Sequence, residues 1–82
     1  MSATEVWIAD DDASIRWVLE RALEQGGLRH RSFENADAVL DALRAGVPDV
    51  LITDIRMPGR SGLELLEEIH AVRADLPVIV IT

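Results

Sequence analysis

The 82-residue chain contains no cysteine and no lysine. Without cysteine there is no disulfide scaffold, no thiolate zinc site and no thiol nucleophile. Without lysine, the strong bases are all arginines: Arg16, Arg21, Arg29, Arg31, Arg44, Arg56, Arg60 and Arg73. No apolar run approaches the roughly 18–20 residues that a membrane-spanning helix needs. Met1 to Glu5 is polar and acidic, unlike a secretory signal, so a soluble cytoplasmic protein is expected. No segment repeats and none is of low complexity. No G-x-G-x-x-G or Walker sequence follows a candidate strand, so nothing points to nucleotide binding.

What is present fits one small globular domain. The chain is 49% hydrophobic and 28% charged, too apolar for disorder. Fifteen acids against eight bases give a net charge of −7. A field of that sign repels nucleic acid and attracts divalent cations, so no direct nucleic-acid contact is expected from this segment.

Two hydrophobic periods alternate along the chain. Val6-Trp7-Ile8-Ala9, Val50-Leu51-Ile52-Thr53 and Val78-Ile79-Val80-Ile81 are short apolar runs, as strands buried on both faces should be. Arg29 to Phe33 is a more polar strand, suited to a sheet edge. Helical spacing joins Ile15, Val18, Leu19, Ala22 and Leu23, then Ala36, Val39, Leu40 and Leu43, then Leu65, Leu66, Ile69 and Val72. Gly26-Gly27 stops the first helix, and Gly46 and Pro48 end the second. Pro58 holds off the third until Ser61-Gly62.

The order is therefore β-α-β-α-β-α-β. It predicts an α/β fold: a partial, flavodoxin-like doubly wound parallel sheet with strand order 2-1-3-4. In such sheets ligands sit beyond the carboxyl ends of the strands, at the switch between strands 1 and 3.

Two acidic features fall at that switch. Asp10-Asp11-Asp12 follows the first strand and Asp54 follows the third. Neighbouring strands lie about 4.8 Å apart, so these carboxylates converge. Two unit charges 4 Å apart interact by about 1 kcal/mol in water and about 4 kcal/mol at an effective dielectric of 20. Protons or a hard cation such as magnesium would offset that repulsion. Asp12 and Ser14 are also candidate caps of the first helix. His30 and His70 have no metal-ligand partners in sequence. Trp7 belongs to the core. Trp17 lies opposite the apolar stripe of its helix and is expected at the surface.

Val6 to Asp12, taken with Ile52-Thr53-Asp54-Ile55-Arg56-Met57-Pro58-Gly59-Arg60-Ser61-Gly62, resembles the receiver domain of two-component response regulators. The run Ser14 to Leu23 and Asp-Ile-Arg-Met-Pro-Gly are similar to the sigma-54-dependent activators of nitrogen control. The resemblance implies that Asp54 is the phosphoacceptor for a sensor histidine kinase. It implies that Asp10, Asp11, Asp54 and the backbone carbonyl of Arg56 hold magnesium, with Asp12 a further candidate in the pocket. Thr82 matches the switch hydroxyl. The resemblance implies a regulator of transcription rather than an enzyme.

The family pattern continues with a fourth helix, a fifth strand ending in lysine, and a fifth helix. Residues 1–82 are thus expected to be a truncated receiver lacking these elements and the output domains, with impaired phosphorylation. Val78–Ile81 is then an exposed edge strand, and self-association through it is expected. Two other readings compete. One is a self-assembling α/β module without chemistry. The other is a haloacid-dehalogenase-type phosphatase, which wants a second acid two residues after its aspartate, where this chain has Arg56.

Overall fold

The computed structural model describes residues 4–81. The chain order is β1 (Glu5–Ala9), α1 (Ala13–Gln25), β2 (Arg29–Phe33), α2 (Ala36–Ala42), β3 (Val50–Asp54), α3 (Gly62–Val72) and β4 (Val78–Ile81). The strands form one parallel sheet in the order β2-β1-β3-β4. This is the expected doubly wound order, which makes β1 and β3 neighbours.

Strand pairing sets the two faces of the sheet. Trp7 pairs with Leu51, and Leu51 with Val78. These side chains share a face, because successive residues along a strand alternate between faces. Trp7, Ala9 and Leu51 pack there with Val39 of α2 and with Leu65 and Ile69 of α3. The Trp7 and Phe33 rings meet at 5.1 Å between centroids. Arg31 lays its guanidinium over both rings, at 5.2 and 5.1 Å. A cation over an aromatic face is attracted by the ring quadrupole, so the polar edge strand β2 still closes the core.

The opposite face is only half covered. Helix α1 packs against β1 and β2, and Val6 and Ile8 beneath it are buried. Ile52 and Ile79 lie in register with Ile8 on this face. Ile79 (50%) is exposed, as are Ile15 (42%) and Val18 (55%) of α1. The inward stripe read for α1 is therefore corrected: Leu19 and Leu23 are half-buried and no residue of the helix is fully buried. The helix meets sheet on one flank only. Val72 also departs from its expected inward place. It is 74% exposed, because at the last residue of α3 the stripe has run past the core that Leu65 and Ile69 fill.

Helix ends follow local chemistry. Asp12 caps α1, accepting from the N–H groups of Ser14 and Ile15. Gly26 caps its other end, and Gly27 follows at φ 74°, a left-handed conformation that glycine adopts without steric cost. Asn35 caps α2. That helix ends at Ala42, before the glycine and proline expected to stop it. At α3, the Ser61 hydroxyl accepts from the Glu64 N–H while the Glu64 carboxylate accepts from the Ser61 N–H, a reciprocal capping box.

Candidate functional site

Because β1 and β3 are adjacent and parallel, their carboxyl ends point the same way. Asp10 and Asp11 leave the end of β1, and Asp54 is the last residue of β3. One carboxylate oxygen from each of the three lies within 4.8 Å of the others. Asp10 is buried, Asp54 half-buried and Asp11 exposed. The trio thus runs from the protein interior to solvent.

Asp10 is held on several sides. Its N–H donates to the Phe33 carbonyl at 3.1 Å, and its Oδ1 accepts from the Asp12 N–H at 2.8 Å. Burial pushes its carboxyl above the ordinary aspartate value. The Asp12 N–H opposes that shift, and repulsion from Asp54, Asp11 and Asp12 adds to it. Asp54 Oδ1 accepts from the Ile55 N–H at 2.8 Å, which fixes the rotation of the carboxylate. The Asp54 carbonyl oxygen accepts from the Thr53 hydroxyl at 3.0 Å.

Asp12 does not join the trio. Its carboxylate is spent on the Ser14 and Ile15 N–H groups, at 2.8 and 3.4 Å. Of the two roles open to Asp12 in sequence, the structure places it in the helix cap. Arg56 is exposed on the loop after β3. With Asp11, Ile55, Met57, Pro58 and Ser61 it lines an open cleft of about 440 Å³ beside the acids. Thr82 lies outside the described residues. His30 bonds Glu24, and His70 bonds the Leu76 carbonyl, both away from this site. Trp7 is buried and Trp17 is exposed, as expected, with Arg21 stacked 5.5 Å from the Trp17 ring.

Three contributors to the site were not singled out from sequence. Gly62 lets the start of α3 close on the backbone of Asp54: an added Cβ would meet the Asp54 carbonyl oxygen at 2.0 Å. Its signal was a glycine at a first helical position. The Ser61–Glu64 capping box fixes where α3 begins, and the Ser-x-x-Glu spacing was its signal. Arg16 donates from Nη1 to the Asp10 carbonyl. Nothing in the spacing pointed to that bond.

The arrangement offers three carboxylate oxygens to one small volume at the edge of an open cleft. All are hard donors, with no sulfur or imidazole among them. That donor set suits a small, hard divalent cation such as magnesium and lacks the thiolate and imidazole donors that zinc favours.

Comparison with known proteins agrees with this geometry. The family profile of the response regulator receiver domain matches residues 6–82. The chain is 57% identical over 77 residues to the DNA-binding transcriptional regulator NtrC of Escherichia coli (strain K12), covering 94% of this chain and 16% of that protein. It is 55% identical to the solution structure of the beryllofluoride-activated NtrC receiver domain. That match has a TM-score of 0.86 and covers 100% of this chain and 66% of the other. A response regulator receiver protein from Pseudomonas putida matches with a TM-score of 0.91 at 31% identity, over 99% of this chain and 69% of that one. The chain thus spans about a sixth of the length of the curated regulator. Strand order, acidic trio and family match agree, and the chain belongs to the response regulator receiver domain family.

Proposed function

We propose that the chain takes a phosphoryl group onto Asp54 from a phosphohistidine of a sensor kinase, as the input step of a two-component pathway. The convergence of Asp10, Asp11 and Asp54 within 4.8 Å carries this reading. The Ile55 N–H holds Asp54 Oδ1, leaving Oδ2 to attack phosphorus. The new O–P bond forms as the P–N bond breaks, the imidazole departs, and an acyl phosphate remains on Asp54. Such transfer depends on positioning and charge neutralisation more than on covalent help from the protein.

Asp10, Asp11, Asp54 and the Arg56 backbone carbonyl would hold magnesium. When bound, that ion supplies positive charge to the phosphoryl oxygens. Asp10 anchors the site from its buried position while Asp11 reaches it from solvent. Thr82 is proposed as the hydroxyl that answers phosphorylation. The chain acts as acceptor and switch, not as a turnover enzyme.

The relatives suggest the pathway. Those named NtrC are DNA-binding transcriptional regulators, and by analogy this chain is proposed to serve transcriptional control of nitrogen metabolism from the cytoplasm. Among the described residues no helix is long and apolar enough to cross a membrane. Residues 1–82 are proposed as the amino-terminal part of a receiver, in keeping with their cover of 66% of the NtrC receiver structure.

A second property is favoured by one observation. Strand β4 is an edge of the sheet, carries no charged residue, and presents Ile79 half-exposed. A second copy could pair with it without like-charge repulsion despite the net charge of −7. Self-association through Val78–Ile81 is proposed on that ground.

Incubation with acetyl phosphate and magnesium, followed by intact mass measurement, tests the main reading. One added phosphoryl group is expected, absent without magnesium and absent in Asp54→Asn. Equal addition to Asp54→Asn would refute it.

A further inference from the structure

Arg16 is tied twice to the turn that carries the acids. Its backbone N–H donates to the Asp12 carbonyl at 3.1 Å. Its Nη1 donates to the Asp10 carbonyl at 2.5 Å. The second bond meets a specific need. Asp10 is buried, and it lies one residue beyond the last strand-paired position of β1. Its N–H still finds the Phe33 carbonyl of β2, but its own carbonyl has passed Ala9–Phe33, the last pair of the β1–β2 ladder. A buried carbonyl without a donor is costly, and a guanidinium makes the stronger, charge-assisted kind of bond.

The two bonds close a brace. Arg16 holds the carbonyls of Asp10 and Asp12, while the Asp12 N–H holds the Asp10 carboxylate. Asp11 sits between the braced residues, so its backbone cannot drift relative to β1. The guanidinium brings its positive charge to the Asp10 carbonyl, on the turn that carries two of the three converging carboxylates.

We propose that Arg16 is a positioning residue for the cation site, a strut that sets the Asp10–Asp12 turn and thereby aims Asp10 and Asp11 at a shared ion. This rests on the cation reading given above. It makes a prediction of unexpected sign. Removing a positive charge beside an acidic site should, on charge alone, tighten a divalent cation. Removing a strut should weaken it. Groups that orient metal ligands typically change affinity by about 10–100-fold when lost.

The test is magnesium titration by calorimetry on the parent, Arg16→Met, Arg16→Lys and Asp11→Asn, with circular dichroism confirming the fold at the same temperature. Arg16→Met is expected to bind magnesium about tenfold more weakly or worse. Arg16→Lys, which keeps a donor of similar reach, is expected to recover most of that loss. Equal or tighter binding by Arg16→Met would overturn the proposal, as would a lysine variant no better than methionine. Should Arg16→Met fail to fold, Arg16→Gln serves as the loss variant, with the same weakening expected and the same reversal decisive. A parent that does not bind magnesium, or an Asp11→Asn that binds it as well as the parent, would instead remove the cation reading and this inference with it.

Discussion

The Asp54 carbonyl oxygen lies so close to the α-carbon of Gly62 that a Cβ there would stand 2.0 Å from it. The first residue of α3 is therefore packed on the backbone of the proposed phosphoacceptor. The Gly62 N–H also donates to the Ile55 carbonyl at 3.0 Å, which locks the two segments together. Gly62→Ala must push α3 away from β3 or displace Asp54. Overpacking of this kind costs about 1–3 kcal/mol, and in a domain this small each kcal/mol lowers the melting temperature by about 4–8 °C. Thermal unfolding should show that loss, with weaker magnesium binding in the folded fraction. An unchanged melting temperature would mean that the helix yields freely here.

The capping box gives α3 a pH dependence. Hydrogen bonds from the Ser61 N–H and hydroxyl, aided by Arg60, hold the Glu64 carboxyl below its ordinary value. Its contribution is full above the ordinary glutamate range and is lost as pH falls through the lowered value. Ser61→Ala removes the cap and should cost about 1 kcal/mol near neutral pH. The gap between parent and variant should narrow on acidification. Melting curves from neutral to acid pH measure it, and a gap that widens would contradict the assignment.

Asp10 works in the opposite sense. Burial, with repulsion from its acidic neighbours, raises its carboxyl against the opposing Asp12 N–H. In the absence of divalent cations its contribution is full below the ordinary aspartate range and is lost as pH rises through the raised value. Asp10→Asn keeps an oxygen for the Asp12 N–H and removes the buried charge. The metal-free variant should be more stable than the parent at neutral pH and converge with it in acid. Magnesium should raise the melting temperature of the parent and raise that of Asp10→Asn much less.

Much of this architecture was legible in the sequence because its signals are local. Runs such as Val6–Ala9 and Val50–Thr53 are too short and too apolar for anything but strands buried in a parallel sheet. Their alternation with helical stripes made the 2-1-3-4 order readable, and the order placed Asp10, Asp11 and Asp54 together. Asp12 could not be settled that way, since an aspartate just before a helix serves equally as cap or ligand until its carboxylate is seen on the Ser14 N–H. The exposure of Ile15 and Val18 depends on which strands α1 covers, which no helical period records. Arg16 was invisible for a similar reason: a guanidinium reaching a carbonyl six residues back leaves no pattern of spacing.

The half-covered face of the sheet has a consequence for assembly. Ile79 is half-exposed on the edge strand β4. An inserted charge on an edge strand disfavours pairing with a second copy. If β4 mediates self-association, Ile79→Lys should shift the chain toward monomer in sedimentation velocity at matched concentration. Arg44→Ala, an exposed site away from β4, should leave the distribution as it was. A parent that sediments as a monomer at high concentration would dispose of the edge-pairing proposal.

The chemistry at Asp54 is the central claim, and borohydride trapping reads it directly. An acyl phosphate is reduced to an alcohol, so a phosphorylated aspartate becomes homoserine and is found by peptide mapping even at low occupancy. After incubation with acetyl phosphate and magnesium, the account predicts homoserine at position 54 and nowhere else, dependent on magnesium. Homoserine at Asp10, Asp11 or Asp12, or none at all under conditions that label an intact receiver, would contradict it.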